Sequence, residues 1–102
     1  MSLRKLQSRF VSMVAELIVF AYGNGYELTF GDAYAKDGHK QNSNHYIRLA
    51  IDLNLFKDGE YLTKTEDHKP LGEYWEKMNA NNRWGGRFND GNHYSLEYNG
   101  HK

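Results

Sequence analysis

Residues 46–56, Tyr46-Ile47-Arg48-Leu49-Ala50-Ile51-Asp52-Leu53-Asn54-Leu55-Phe56, decide the fold. Ile51, Leu53 and Leu55 fall on one side of a two-residue repeat and Ala50, Asp52 and Asn54 on the other. The run therefore reads as a strand with one apolar face. Asp52 is the anomaly. An acid between Ile51 and Leu53 is costly in an apolar setting unless it is paired or bound to a cation; a solvated face shared with Asn54 is the plain alternative. His45 lies seven residues before Asp52. That odd spacing puts the two on opposite faces of an unbroken strand, so they converge only if His45 belongs to a loop or a bulge intervenes.

Upstream of this run, Leu3, Leu6, Phe10, Met13, Val14, Leu17, Ile18 and Ala21 recur at helical spacing, and Gly23 and Gly25 supply a stop. Arg4, Lys5 and Arg9 before that apolar stretch superficially suggest a signal peptide. Glu16 interrupts the stretch and no small-x-small site follows it, so a packed amphipathic helix is expected and an export signal is not. Residues 26–30 read as a strand and residues 31–44 as a polar loop.

Downstream, residues 57–60 read as a turn suited to a hairpin, and residues 63–69 as a charged connection. Pro70 fits the first turn of a second helix whose apolar stripe is Leu71, Tyr74, Trp75 and Met78. Trp84-Gly85-Gly86-Arg87-Phe88 reads as irregular or a short strand, residues 89–92 as a turn and residues 93–98 as a last strand. Two helices and about four short strands make an α+β domain with a small antiparallel sheet, spanning residues 1–102 as one unit.

The chain has 102 residues, with 13 basic and 13 acidic side chains and a formal net charge of zero. A nucleic-acid binder that neutralises phosphates normally carries a basic excess, and so does a polybasic membrane-surface module; neither is expected. The absence of cysteine excludes disulfide scaffolds, thiol nucleophiles and cysteine-ligated metals. Any transition metal must then be held by His, Asp and Glu. Of the five histidines, His39, His68 and His101 stand in polar loop or terminal contexts and read as solvated surface.

A second candidate cluster is Asp90-Gly91-Asn92-His93. His93 opens the last strand on the face shared with Ser95 and Glu97, and Asp90 sits at the turn three residues earlier. An unliganded carboxylate beside a metal is what metal-assisted hydrolysis needs, because it takes the proton of the attacking water and returns it to the leaving amine. A plain turn aspartate before a strand-start histidine is the alternative.

Taken together, Ser43-x-His45 with Ala50-x-Asp52, then Trp84-Gly85-Gly86-x-Phe88 with Asp90-x-x-His93, resemble the zinc peptidases that cleave peptidoglycan peptides. These include the D-alanyl-D-alanine carboxypeptidases and the L-alanyl-D-glutamate endopeptidases, and the small phage versions are most similar. The run from Arg48 to Phe56 and the Leu71-Gly72-x-Tyr74-Trp75-Glu76 helix belong to the same likeness. It covers most of the chain, from the first helix to Ser95.

The resemblance implies a hedgehog/DD-peptidase-like α+β fold, one zinc ion per chain held by His45, Asp52 and His93, and Asp90 as catalytic acid/base. It implies the peptidoglycan stem peptide as partner, no nucleic acid and no stable membrane association, and retention in a host cytoplasm until lysis. Trp84, Tyr34 and the Gly85-Gly86 pair are expected to line the cleft, the glycines admitting a peptide backbone. Ser43 is expected to orient a ligand or its loop, and Arg83 and Arg87 either attract the acidic stem peptide or are surface charge. Because ligand histidines must be neutral, activity is expected to fall below about pH 6.

Two departures from the family pattern stand out. Many relatives carry glycine where Arg48 stands. Gly31-Asp32-Ala33-Tyr34 continues with Ala35-Lys36, where the family usually has an arginine that steadies the developing oxyanion or a substrate carboxylate. Lys36 and Arg48 are the candidates to supply that charge, although lysine lacks the forked donors of arginine. Two alternatives therefore stay open: a catalytically weakened zinc-binding module for the cell wall or a partner, and, more remotely, a metal-dependent nuclease.

Overall fold

The computed structural model describes residues 2–33 and 44–99. Helix α1 (Leu3–Gly23) is capped by Ser2, whose hydroxyl accepts from the Lys5 amide at 3.2 Å. Its buried stripe is Phe10, Met13, Val14, Leu17 and Ala21, as the periodicity predicts. At its end the Asn24 side-chain amide donates back to the Phe20 carbonyl at 2.8 Å.

Five antiparallel strands form the sheet: β1 (Tyr26–Phe30), β2 (Ala50–Lys57), β3 (Glu60–Leu62), β4 (Asn82–Trp84) and β5 (His93–Leu96). Their order is β1-β2-β5-β4, with β3 also on β2. Along one edge of β2 runs β1, from Tyr26 opposite Lys57 to Phe30 opposite Leu53. The other edge is shared: β5 pairs with Ala50–Asp52 at the start of β2, and β3 pairs with Leu55–Lys57 at its end. The β2–β3 hairpin closes on Asp58 and Gly59, both at positive φ (52° and 79°), the type I′ geometry whose twist matches paired strands.

The strand expected over residues 46–56 begins only at Ala50. Asn44–Ile47 instead form a 3-10 turn that ends in a left-handed residue, Arg48, at φ 59°. The Leu49 amide reaches back to the Asn44 carbonyl (2.9 Å) and the Arg48 amide to the His45 carbonyl (3.4 Å). This is the paired bonding of a Schellman cap, in which the left-handed position is usually glycine. The turn is anchored to the rest of the chain: the Asn44 side chain donates to the Leu96 carbonyl at 2.6 Å, and the Gln7 side chain to the Ile47 carbonyl at 2.9 Å.

The residues expected to be a charged connection contain another 3-10 turn, Thr65–His68, which leads straight into α2 (Lys69–Met78) with Pro70 in its first turn. Trp75 of α2 is fully buried and meets Phe10 and Tyr94 edge-on, with ring centroids 5.6 and 6.2 Å apart. Its indole N–H donates to the Ser95 carbonyl at 2.9 Å and the Arg83 carbonyl at 3.1 Å, pinning α2 to β5 and β4. The core gathers Phe10, Leu17, Leu53, Leu55, Leu71, Trp75 and Tyr94 between the helices and the sheet. Burial of aliphatic and aromatic side chains on this scale is the main driving force for the fold. No helix among the described residues is long and apolar enough to cross a membrane.

Candidate metal centre

The cap after residue 47 resolves the parity problem posed by the sequence. Because His45 sits on the 3-10 turn rather than on β2, its odd spacing from Asp52 no longer separates the two. His93 arrives by a different route: it is the direct cross-strand partner of Asp52, and directly paired residues project from the same face of a sheet. The backbone of Asp52 is gripped from both sides. Its carbonyl accepts from the Gly31 amide at 2.7 Å, its amide donates to the Asp32 carbonyl at 2.8 Å, and the next amide, that of Leu53, donates to the Asn92 carbonyl at 2.9 Å.

Both histidines converge on one carboxylate oxygen. His45 Nε2 lies 3.2 Å from Asp52 Oδ1, and His93 Nδ1 lies 3.5 Å from the same atom. The imidazole rings meet edge-on, 5.1 Å apart. His45 is 1% exposed, His93 9% and the Asp52 side chain 19%, so the centre has one face toward solvent. Partial burial pushes the Asp52 carboxyl up, but hydrogen bonds from His45 and His93, together with their charges, outweigh it and bring its pKa down to about 2.

The donor chemistry fits a zinc ion. Two imidazoles and a carboxylate, with ligand atoms all within 4.8 Å of one another, are the only such grouping of three or more among the described residues. Tetrahedral zinc with ligand bonds of about 2.0–2.1 Å sets neighbouring ligand atoms about 3.3 Å apart, close to the two distances observed here. Three protein ligands also leave the fourth position open, as in catalytic rather than structural zinc sites.

Asp90 is exposed and outside the ligand group. It is held by its backbone: its amide donates to the Gly85 carbonyl at 2.9 Å and its carbonyl accepts from the His93 amide at 3.1 Å. It forms one wall of a polar cavity of about 200 Å³ whose other walls include Asn54, Thr63, Thr65, His68 and Asn92.

The glycine pair is packed against the chain's own atoms. A Cβ on Gly85 would collide with the Asp90 carbonyl and the His93 Cβ, and one on Gly86 would strike the Trp84 ring. These glycines make room for the chain's own atoms, and Gly85 is what lets the Asp90 turn fold against His93. Trp84 is half-buried, donates from its indole nitrogen to the Gly91 carbonyl at 2.7 Å, and borders a surface depression with Lys64 and Lys69. Arg83 is engaged within the fold, donating from Nε to Glu97 at 3.0 Å and from a terminal nitrogen to the Ala80 carbonyl at 2.7 Å. Arg87 is exposed, 3.9 Å from Glu76. Arg48 is exposed and borders an apolar groove with Phe10, Val14 and Ile51. Ser43, Tyr34 and Lys36, like His39 and His101, lie outside the described residues.

His68 corrects the sequence reading. Instead of a solvated surface residue it is 3% exposed, and its Nδ1 lies 2.9 Å from the Tyr94 hydroxyl. Burial holds its pKa below the ordinary histidine value, against the opposing charges of Asp67 and Asp90. The surrounding TEDHK run is so polar that only tertiary packing, the docking of the Thr65–His68 turn on β5, places this imidazole inside.

The sequence model of a family described as D-alanyl-D-alanine carboxypeptidase matches residues 37–96. The chain belongs to that family. The matched span takes in all three residues of the metal group and Asp90. Membership makes the protein a hydrolase of the zinc peptidase type directed at peptidoglycan, and the His45–Asp52–His93 group is a site where such a peptidase can hold its metal. No curated protein and no solved structure matches the chain.

Proposed function

We propose that this peptidase hydrolyses an amide bond in the peptidoglycan stem peptide, with His45, Asp52 and His93 as zinc ligands and Asp90 as its acid/base. The observation that carries the reading is the convergence of two buried histidines on one oxygen of Asp52, with Asp90 folded back three residues before His93. A zinc ion bound there supplies Lewis-acid chemistry, polarising a carbonyl and making water more acidic. Asp90 takes the proton from the attacking water and delivers it to the departing amine. Its solvent exposure suits both transfers, since the side chain has room to turn between water and leaving group.

The bond favoured is L-Ala–D-Glu, an endopeptidase cut, with D-Ala–D-Ala the other candidate. The likeness to the small phage enzymes supports a role in lysis, with the protein held in the host cytoplasm until the wall is reached. Zinc content and release of new amino groups from purified peptidoglycan, on wild type and Asp90→Ala side by side, test the assignment. The expected result is one zinc per chain in both proteins, with cleavage by wild type alone. Zinc in both and cleavage by neither would make the chain a wall-binding module; wild type without zinc would overturn the ligand set.

A further inference from the structure

The described residues contain one buried imidazole that the metal chemistry does not use. His68 stands on Tyr94, with Nδ1 2.9 Å from the phenol oxygen, and Tyr94 is fully buried. Among the described residues the Tyr94 hydroxyl makes no other hydrogen bond, so its hydrogen has one acceptor there, His68 Nδ1. The reverse arrangement, with Nδ1–H donating to the phenol oxygen, would orphan a hydroxyl hydrogen in the core at the cost of its full desolvation. The tautomer is therefore fixed: Nδ1 accepts and Nε2 carries the hydrogen.

That Nε2–H has no protein partner among the described residues, and His68 lines the cavity whose wall is Asp90. Thr65 adds a second donor. Its Oγ1 accepts from the Gly91 amide at 3.3 Å, which leaves its own hydrogen to give. The cavity shares Thr63, Thr65 and Asn89 with the larger depression bordered by Lys64 and Lys69. A pocket lined by two donors, His68 Nε2 and the Thr65 hydroxyl, and adjoining a depression that carries Lys64 and Lys69 as well as Glu66, offers hydrogen bonds to an acceptor group bearing negative charge.

We propose that this cavity binds the carboxylate of the residue that leaves with the amine, and that His68 is its specificity-determining donor, with Tyr94 as the positioning residue that fixes the imidazole. The side of the bond follows from the proposed function, on which this inference rests: Asp90 protonates the leaving amine, so the residue bearing that amine lies beside Asp90, where the cavity is. In either candidate bond, L-Ala–D-Glu or D-Ala–D-Ala, the leaving residue carries a carboxylate on the carbon next to that nitrogen. A neutral N–H donor at this place gives the chain a carboxylate contact without the family arginine that Ala35 replaces.

The test uses the zinc-loaded full chain and two readouts. The first is the ¹⁵N–¹H correlation of the His68 imidazole, alone and with added D-glutamate. The second is hydrolysis of acetyl-L-Ala-D-Glu against the same dipeptide with its D-Glu α-carboxylate converted to carboxamide. The expected result is an Nε2–H tautomer whose signal moves on adding D-glutamate, and a preference of about tenfold in kcat/KM for the free carboxylate, carried by KM. In His68→Phe the preference falls to within about twofold with zinc content unchanged. Tyr94→Phe, which keeps the ring and removes only the hydroxyl, gives the same collapse should His68→Phe fail to fold. An Nδ1–H tautomer, or a preference that survives in a folded, zinc-bound variant, overturns the inference. Cleavage without any preference or D-glutamate shift sinks the inference and spares the peptidase reading. A D-glutamate shift at His68 without cleavage of either peptide does the opposite.

Discussion

Two buried histidine settings meet β5 at neighbouring residues, His93 in one and Tyr94 in the other, and they differ in what faces the ring. His93 and His45 meet a carboxylate; His68 meets a phenol. A carboxylate approached by two imidazoles gathers three ligand atoms within 4.8 Å of one another, an arrangement that could hold a metal ion. A phenol uses one imidazole nitrogen as acceptor and aims the other outward as a donor. The same side chain at similar burial is thus offered to a metal in one place and as a hydrogen-bond donor in the other, according to its neighbour.

The largest expected effects break the carboxylate side. Asp52→Ala or His93→Ala removes one of three ligands, so zinc is lost at micromolar free metal and hydrolysis disappears with it, as atomic absorption and an amino-group assay would register. Asp90→Asn leaves zinc in place and lowers kcat by about 10²–10⁴. A variant that lost the metal as well would show Asp90 to be a ligand rather than a base.

Acid titration of the metal-free protein sharpens the contrast. The folded pKa of Asp52 lies below the carboxylate reference of 3.8, at about 2, so its contribution to stability is present above pH 3.8 and is lost as pH falls toward 2. The folded pKa of His68 lies below 6.5, so the unfolded chain takes up a proton first and stability falls as pH drops below 6.5. Thermal melts against pH should show both steps, with Asp52→Asn removing the lower one and His68→Gln the upper. If His68→Gln leaves the upper step intact, burial of that imidazole is not what the neutral-pH stability depends on.

These two settings were unequally legible in the sequence. His45, Asp52 and His93 carry the family spacing, and a lone acid in an apolar strand advertises itself. What spacing could not supply was the route of convergence, because the Schellman cap at Arg48 has no glycine to announce it. The helices, the β2–β3 hairpin and the α+β class were readable from periodicity and turn chemistry. His68 was not, since nothing in a run of Thr, Glu, Asp and Lys signals burial; its partner Tyr94 lies 26 residues away on another element. Gly85 and Gly86 were visible as a motif, but only the packing shows that they accommodate Asp90, His93 and Trp84.

The smallest expected effect tests that cap. Arg48→Gly relieves a left-handed non-glycine residue and should stabilise the fold by about 1 kcal/mol, read as a rise in urea midpoint at constant slope. A loss of stability instead would mean that the arginine side chain holds the 3-10 turn more firmly than its backbone strains it.

The most direct test of the central claim is zinc stoichiometry across the two histidine settings, measured on dialysed wild type, His45→Ala, Asp52→Ala, His93→Ala and His68→Gln. One zinc per chain in wild type and in His68→Gln, with none in the other three, is the predicted result. A wild type that holds no zinc, or a metal lost from His68→Gln and kept in any of the three ligand variants, would contradict it.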